Sequence, residues 1–482
     1  MNHYYVTSSI PYVNAKPHVG HALELVQADA LARYYRAKLG EHQVHALTGS
    51  DENSLKNVQA AEKAGEEVAD FVAYHAEEFK KLGTDLNLSF DDFIRTREDR
   101  HMKGAQKLWD ACKSEDIYKK SYRGLYCVGC ESFYTEKDCP DGKCPTHKKE
   151  LDVIEEENYF FALSNYQDEI LQLIESDTLQ IFPETRKNEM LSFVRQGLED
   201  FSISRSQERA KHWGVPVPGD DSQVMYVWFD ALSNYITALG YAEDGEKFKT
   251  FWSDQSKRVH VIGKDISRFH SIYWPAMLMS AGLPLPKEIF VHGFFTVDGE
   301  KMSKSIGNVI HPKTLTDEFG IDAVRYFMLR EMPHASDGDL SIERLKLRYL
   351  ELANQLGNLV GRVAAMSDKY FDGVLEKNQW NGEELTKQAD ALMQEYKFKA
   401  YLDLIFDVVS EANEVIDKKA PFKLVKEDEQ AAKAVLSEVA DRIHWVAQML
   451  SPIMPEAAEE ILRRYAGPKV LKGDPLFPRL ED

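Results

Sequence analysis

Long apolar runs are missing from this 482-residue sequence: no uncharged stretch is long enough to cross a bilayer. The opening "MNHYYVTSSIPYVN" likewise lacks a basic cluster followed by an apolar segment. Together these absences predict a soluble, cytoplasmic protein with no membrane role. Basic residues are in deficit. With 59 Lys and Arg against 79 Asp and Glu the formal charge is −20, which argues against broad nonspecific binding to nucleic acid but leaves room for a local RNA site. Cysteine is scarce, and four of the five (Cys127, Cys130, Cys139 and Cys144) crowd into one short segment. That distribution points away from a secreted disulfide framework and toward a metal. Cys112, alone, reads as a small core residue. Tandem repeats and low-complexity tracts are absent, so packed structure is expected throughout, at a length that calls for more than one domain.

What is present has a recognisable order. "HYYVTSS" (3–9) combines aromatic and β-branched residues and runs into Pro11, which predicts a strand entering a loop. From Leu23 through Val26, Ala30 and Tyr34 the larger side chains recur every three to four residues, and Gly40 supplies a stop, so a helix follows. "QVHALTGSDEN" then reads as a second buried strand. A strand, a helix and a strand make a βαβ unit, whose functional loops lie at the carboxyl ends of its parallel strands. The pattern returns in "RVHVIGKD" and "EIFVHGFFTVDG", with "SRFHSIYWPAMLMSAG" as a helix between them. One sheet is thus expected in two halves, 1–117 and 224–338, split by an inserted subdomain over 118–223. From Leu340 the pattern becomes helical. Ile342, Leu345, Tyr349, Leu352, Leu356, Leu359, Val363 and Met366 alternate spacings of three and four, and further amphipathic stretches predict a helical bundle over 339–482.

Two short stretches carry chemistry. "PHVGHALEL" (17–25) sets two histidines around a glycine where the first strand's loop becomes a helix. Glycine admits a ligand to the backbone, the helix N-terminus favours an anion, and imidazoles can donate to phosphoryl oxygens as charge builds on them. Taken alone, the pair reads equally well as helix caps. "DGEKMSKSIGN" (298–308) places Lys301 and Lys304 between glycines directly after a strand. A mobile loop carrying two ammonium groups suits a polyphosphate, whereas a lone "KxxK" would read as a solvated surface. Both stretches sit at strand ends of the same split sheet.

These motifs resemble the paired signatures of the class I aminoacyl-tRNA synthetases, HxGH and KMSKS. More narrowly the chain is similar to the methionyl-tRNA synthetases, through "PYVNAKPHVGHA", "TGSDE", "WGVPVP", "YVWFDALSNY", "GKDISRFHSIYWPAML", "HGFFTVDGEKMSKS" and "GNLVGR". The resemblance implies a Rossmann-like parallel-sheet catalytic domain split by a zinc-binding insertion and followed by an α-helical anticodon-binding bundle. It implies that L-methionine attacks the α-phosphate of ATP, accompanied by magnesium, and that the methionyl-adenylate then esterifies the terminal adenosine of tRNA(Met). Adenylation of this kind needs positioning and charge stabilisation more than an acid, a base or a nucleophile. His18, His21, Lys301 and Lys304 are the implied catalytic set. Gly20, Gly263 and Asp265 join them around ATP. The implied methionine pocket is Ile10, Tyr12, Asp51, Trp228, Ala231, Leu232, Tyr235, Ile266 and His270. In it Asp51 pairs with the ammonium and the aromatics face the thioether, a contact that sulfur favours. Without the resemblance, "YVWFDALSNY" would read as an ordinary core helix.

Departures and further sites complete the reading. After "TGSDE" the chain has Asn53 and Ser54 where the family often shows His and Gly. "CVGC" and "CPTH" each have the two-residue gap of a zinc knuckle. One structural zinc per chain on Cys127, Cys130, Cys144 and His147 is expected, a pattern the family contains, with Cys139 as an alternative to His147. Asn358 and Arg362, four apart on one helix face, match the family's anticodon-reading pair. Phe422 stands where the family stacks a tryptophan after proline, and it can still stack a base. The insertion is too short for the hydrolytic editing domain of the enzymes for leucine, isoleucine and valine. The chain is expected to be a monomer.

Overall fold

The computed structural model describes residues 2–127, 132–134, 139, 141–145, 148–297, 300–301, 310–377, 379–467 and 469–480. Strand β1 (His3–Ser8) leads through a loop into helix α1 (Val19–Leu39). The helix stops at Gly40, whose φ of 98° suits a residue without a Cβ. Strand β2 (Val44–Ser50) is buried at every position, as a parallel strand covered on both faces should be. Helix α2 (Leu55–Ala64), strand β3 (Asp92–Arg95) and helix α3 (Asp99–Ala111) follow. Next come an antiparallel pair, β4 (Ile117–Cys127) with β5 (Asp152–Phe161), and the short strand β6 (Gln180–Phe182). Then come α4 (Val227–Leu232), β7 (Ser256–Gly263), α5 (Trp274–Ser280), β8 (Glu288–His292), β9 (Phe295–Val297) and β10 (Glu300–Lys301).

The six-stranded sheet runs in the order β3-β2-β1-β7-β8-β6. β1 pairs in parallel with β2 on one side and β7 on the other, with Thr7 opposite both Leu47 and His260. β2 with β3, and β8 with β6, are parallel too. The chain winds away from the centre in both directions, so the strand order reverses between β1 and β7. In such sheets ligands bind outside the carboxyl ends at the reversal. Those ends open onto Ser9–Tyr12 and Lys264–Ile266. β6 lies inside the stretch expected as an insertion, yet it forms the sheet's far edge. Its register, Ile181 opposite Ile289, buries both residues in the main core.

The chain divides into two compact units. The first is Met1–Pro17, Lys38–Gly83 and Ser89–Val291; the second is His18–Ala37, Thr84–Leu88 and His292–Asp482. The first unit's core runs from Tyr5 and Leu47 through Phe229, Tyr235, Trp252 and Trp274 to Ile289. The second unit contains α6 (Ile321–Glu331), α7 (Ile342–Glu351), α8 (Asn358–Phe371), α9 (Glu383–Gln394), α10 (Phe398–Lys419), α11 (Glu429–Leu450) and α12 (Pro455–Tyr465). α7 and α8 are joined by widened π-helical turns, Leu352–Gly357. Helix α1 belongs with these helices. Asp29 forms a fully buried 2.7 Å ion pair with Arg325, whose other N–H groups reach the carbonyls of Ile453, Leu86 and Pro452. Tyr34 Oη donates to Asp390 at 2.8 Å. Among the described residues no helix is long and apolar enough to cross a membrane.

Candidate active site

The first unit assembles an aromatic and apolar group at the reversal point. Ile10 follows β1, Ile266 follows β7, and Trp228, Leu232 and Tyr235 come from α4 and the turn after it; all belong to one core cluster or pack against it. Ala231 is buried beside Leu232 in sequence. His270 sits in a π-helical turn, Phe269–Tyr273, a local widening that is frequent at functional sites. Its Nδ1 lies 3.0 Å from the Ile266 carbonyl, which can only accept, so Nδ1 carries a proton. The other ring nitrogen, Nε2, lies 2.7 Å from Tyr235 Oη. Trp228 stacks on Phe269 at 3.8 Å and presents its edge to His270. Beneath them His260 lies 4.1 Å from the Tyr235 ring, and burial, with His270 and Arg258 nearby, holds its imidazole well below the usual value. Three rings are therefore fixed by hydrogen bonds and stacking before any ligand arrives.

Asp51 lies in the same unit, directly after the last residue of β2. It continues β2, forms a parallel bridge with Tyr12, and takes its backbone hydrogen bond from N–H to the Pro11 carbonyl at 2.9 Å. Its Oδ1 accepts from the Asn53 amide at 3.1 Å, and its carbonyl accepts from Asn57 Nδ2. Lys56 lies 4.6 Å over the Tyr12 ring. The next residue, Glu52, is buried and held by Arg95 at 2.7 and 3.0 Å, while Trp213 Nε1 donates to its carbonyl. The loop bearing Asp51 is thus pinned on several sides. Sequence reading singled out Asp51 and missed Arg95 and Trp213, which hold the adjacent Glu52 from far downstream in the chain.

The second unit carries the histidine pair. The His18 and His21 rings lie 4.0 Å apart at the start of α1. His18 Nδ1 accepts from the Gly20 amide at 3.1 Å, and His21 Nδ1 accepts from the His18 amide at 3.2 Å. Each ring thus satisfies one of the amides that a helix start leaves open, which fixes the neutral tautomer with its proton on Nε2. Burial, with His18 beside it, pushes the His21 imidazole well below its usual value. The rings cap the helix start through Nδ1, which leaves Nε2 of each as the nitrogen that carries the proton.

The lysine segment begins and ends on elements of this unit. Lys301 pairs with Thr296 in the β9–β10 hairpin. Ile310, just after 302–309, accepts through its carbonyl from the Val19 amide at 3.0 Å, between the two histidines in sequence. His292, at the end of β8, meets Glu24 of α1 at 3.0 Å. Lys304 lies outside the described residues. Gly263 ends β7 and Asp265 is exposed in the following turn, both in the first unit.

The sequence also singled out two further groups. Asn358 is exposed at the start of α8, and Arg362 reaches Asp417 near the end of α10 at 2.8 Å. Phe422 follows shortly and is 41% exposed, one of few large apolar side chains left open to solvent among the described residues. In the cysteine segment, Cys127, Cys139 and Cys144 are buried in one small cluster with Leu151. Among the described residues no three ligating side chains gather at one point. Cys130 and His147 lie outside the described residues.

Comparison with known proteins shows what the chain is similar to. Residues 4–152 and 147–364 match the family model described as "tRNA synthetases class I (M)". The chain is 43% identical to the methionine--tRNA ligase of Brucella melitensis, over 96% of this chain and 92% of that protein. It is 41% identical to that of Caldanaerobacter subterraneus subsp. tengcongensis, over 99% of this chain and 79% of the relative. Among solved structures it is similar to the Mycobacterium tuberculosis methionyl-tRNA synthetase in complex with methionyl-adenylate. That likeness has a TM-score of 0.93 and 38% identity, covering 99% of this chain and all of that one.

Proposed function

The chain belongs to the class I tRNA synthetases of the methionine type, and on that premise we propose how its own residues activate L-methionine with ATP and pass it to tRNA(Met). The observation that carries the proposal is the preset group of Trp228, Tyr235 and His270 beside the pinned Asp51. Asp51 takes the substrate ammonium, and Tyr12, Trp228 and Tyr235 give aromatic surface to the thioether with Ile10, Ala231, Leu232 and Ile266 around it. His270, held through both nitrogens, keeps its ring fixed at the floor of the pocket.

Activation forms one bond and breaks one. A methionine carboxylate oxygen bonds to the α-phosphorus of ATP as the bond to pyrophosphate breaks. His18 and His21 donate from Nε2 to phosphoryl oxygens as negative charge grows there. Lys301 and Lys304 neutralise the departing pyrophosphate, and Gly20, Gly263 and Asp265 complete the nucleotide site. By analogy with other preorganised donors, one well-aimed group is worth about 3 kcal/mol in the transition state. Magnesium would accompany the triphosphate. In the second step a ribose hydroxyl of the terminal adenosine attacks the acyl carbon and AMP leaves. Asn358, Arg362 and Phe422 read the anticodon, with Phe422 as the stacking surface.

Buried soft thiols suit a structural zinc, which Cys127, Cys130, Cys144 and His147 would hold, stabilising the insertion. The protein acts in the cytoplasm as a monomer. ATP/pyrophosphate exchange with each amino acid, followed by charging of total tRNA, tests the whole reading: exchange with methionine and then charging supports it, and exchange without charging would contradict the RNA half.

A further inference from the structure

A buried polar chain joins the two walls of the methionine site. Asn53, 6% exposed, donates through its backbone amide to Asp51 Oδ1. Its side-chain Nδ2 donates to Asp230 Oδ2 at 2.7 Å and to the Thr96 carbonyl at 3.1 Å. Asp230 lies in α4, between Trp228 and Ala231, and is itself buried. Its other oxygen accepts from His101 Nε2 at 2.5 Å, and His101 Nδ1 meets Thr237 Oγ1 at 2.9 Å. α3, which bears His101, reaches this depth because Gly104 has no side chain: a Cβ there would lie 2.4 Å from Thr237.

We propose that Asn53, Asp230 and His101 act as positioning residues for methionine, clamping the loop that bears Asp51 to the helix that bears Trp228, Ala231 and Leu232. This rests on the reading of Asp51 as the ammonium partner. A carboxylate on a loop can approach an ammonium at many angles, and a fixed angle demands a fixed loop. Here one amide holds the loop from within by its backbone N–H and from across the site by its side chain. Both Nδ2 hydrogens are used, while Asn53 Oδ1 is buried with no hydrogen-bond partner among the described residues. An acceptor left unmatched in the interior costs stability, so the group is kept for its donors. Asp230 is the shared end. Because a buried carboxylate needs its hydrogen bonds filled, His101 fixes its rotamer, and that rotamer aims Oδ2 at Asn53.

Asn53→Ala should raise KM for methionine in pyrophosphate exchange about tenfold, the factor expected when one buried hydrogen bond to a charged partner is lost. KM for ATP and kcat should stay within about twofold, because the clamp acts on substrate placement and not on the phosphates. Binding of 4-(methylthio)butanoate, which lacks the ammonium, should not change. In an Asp51→Asn background, Asn53→Ala should add nothing to the methionine KM. Asn53→Asp keeps the volume and sets one carboxylate against another, so it should give the same selective loss even if the alanine variant folds poorly. A methionine KM unchanged in both Asn53 variants, or one that rises together with the ATP KM, would overturn the proposal. Failure of the underlying reading looks different: Asp51→Asn would itself leave the methionine KM unaltered.

Discussion

Replacing Asp322 with asparagine should make the protein more stable at neutral pH. Asp322 lies in the first turn of α6 and is 6% exposed. Its Oδ2 accepts from the Ala457 amide at the start of α12 at 2.6 Å, while Oδ1 has no hydrogen-bond partner among the described residues. Burial raises its carboxyl from the ordinary 3.8 to about 6, outweighing the opposing pull of the Ala457 amide and of Arg325. A difference of about 2 units corresponds to about 3 kcal/mol. The sign follows from proton binding. The folded chain holds this proton more tightly than the unfolded one, so the group carries no penalty below about pH 4, and stability is lost as pH rises through 6. Asparagine keeps the acceptor for Ala457 and carries no charge at any pH. Urea unfolding followed by far-UV circular dichroism should therefore show the variant about 2 to 3 kcal/mol more stable at pH 7.5, read as a higher midpoint at constant slope. The gain should shrink as pH falls through 6 and vanish below about 4. A variant less stable at pH 7.5, or an equal gain at every pH, would refute the reasoning.

Three other substitutions or measurements follow from the same structure. Tyr235→Phe removes the hydroxyl that meets His270 Nε2, and losing one buried hydrogen bond costs about 1 to 3 kcal/mol. Methionine KM should rise at least fivefold with ATP KM unchanged, and a change below twofold would mean that the ring does not face substrate. Phe422→Ala should lower kcat/KM for tRNA charging about tenfold or more, the worth of one base stacked on an aromatic ring. Pyrophosphate exchange should be untouched, and equal loss in both assays would place Phe422 outside RNA recognition. Metal analysis of protein purified without chelator should find about one zinc per chain, as four protein ligands imply. Cys144→Ser should lower that content, and zinc-free wild-type protein would remove the site.

Local order was open to reading wherever periodicity and punctuation agreed. The βαβ start, the helix stop at Gly40 and the fully buried Val44–Ser50 strand follow from side-chain type and spacing alone. Partners chosen across long separations were not. β6 has three residues and no alternation to mark it, and its place is set by pairing with a strand that begins at Glu288. Helix α1 follows the first strand in sequence but belongs with the helical unit, because Asp29 finds its counter-charge on Arg325. Periodicity tells which face of a helix is apolar, not which neighbour will cover it. The stripe from Ile342 to Met366 also hid the widened turns at Leu352–Gly357, since spacings of three and four pass through them. At the site, Asp51 and the aromatic residues were visible as motifs. Asn53 was noticed only as a departure, and Asp230 and His101 gave no signal, because a hydrogen-bonded chain of polar residues has no period.

The most direct measurement is a double-mutant cycle on the rate of methionyl-adenylate formation, with His21→Asn, Lys304→Ala and both together. If the two groups act on one triphosphate, each change slows the step without weakening methionine binding, and the pair couples by more than about 1 kcal/mol. Effects that add within about 0.5 kcal/mol, the behaviour of independent sites, would contradict the account.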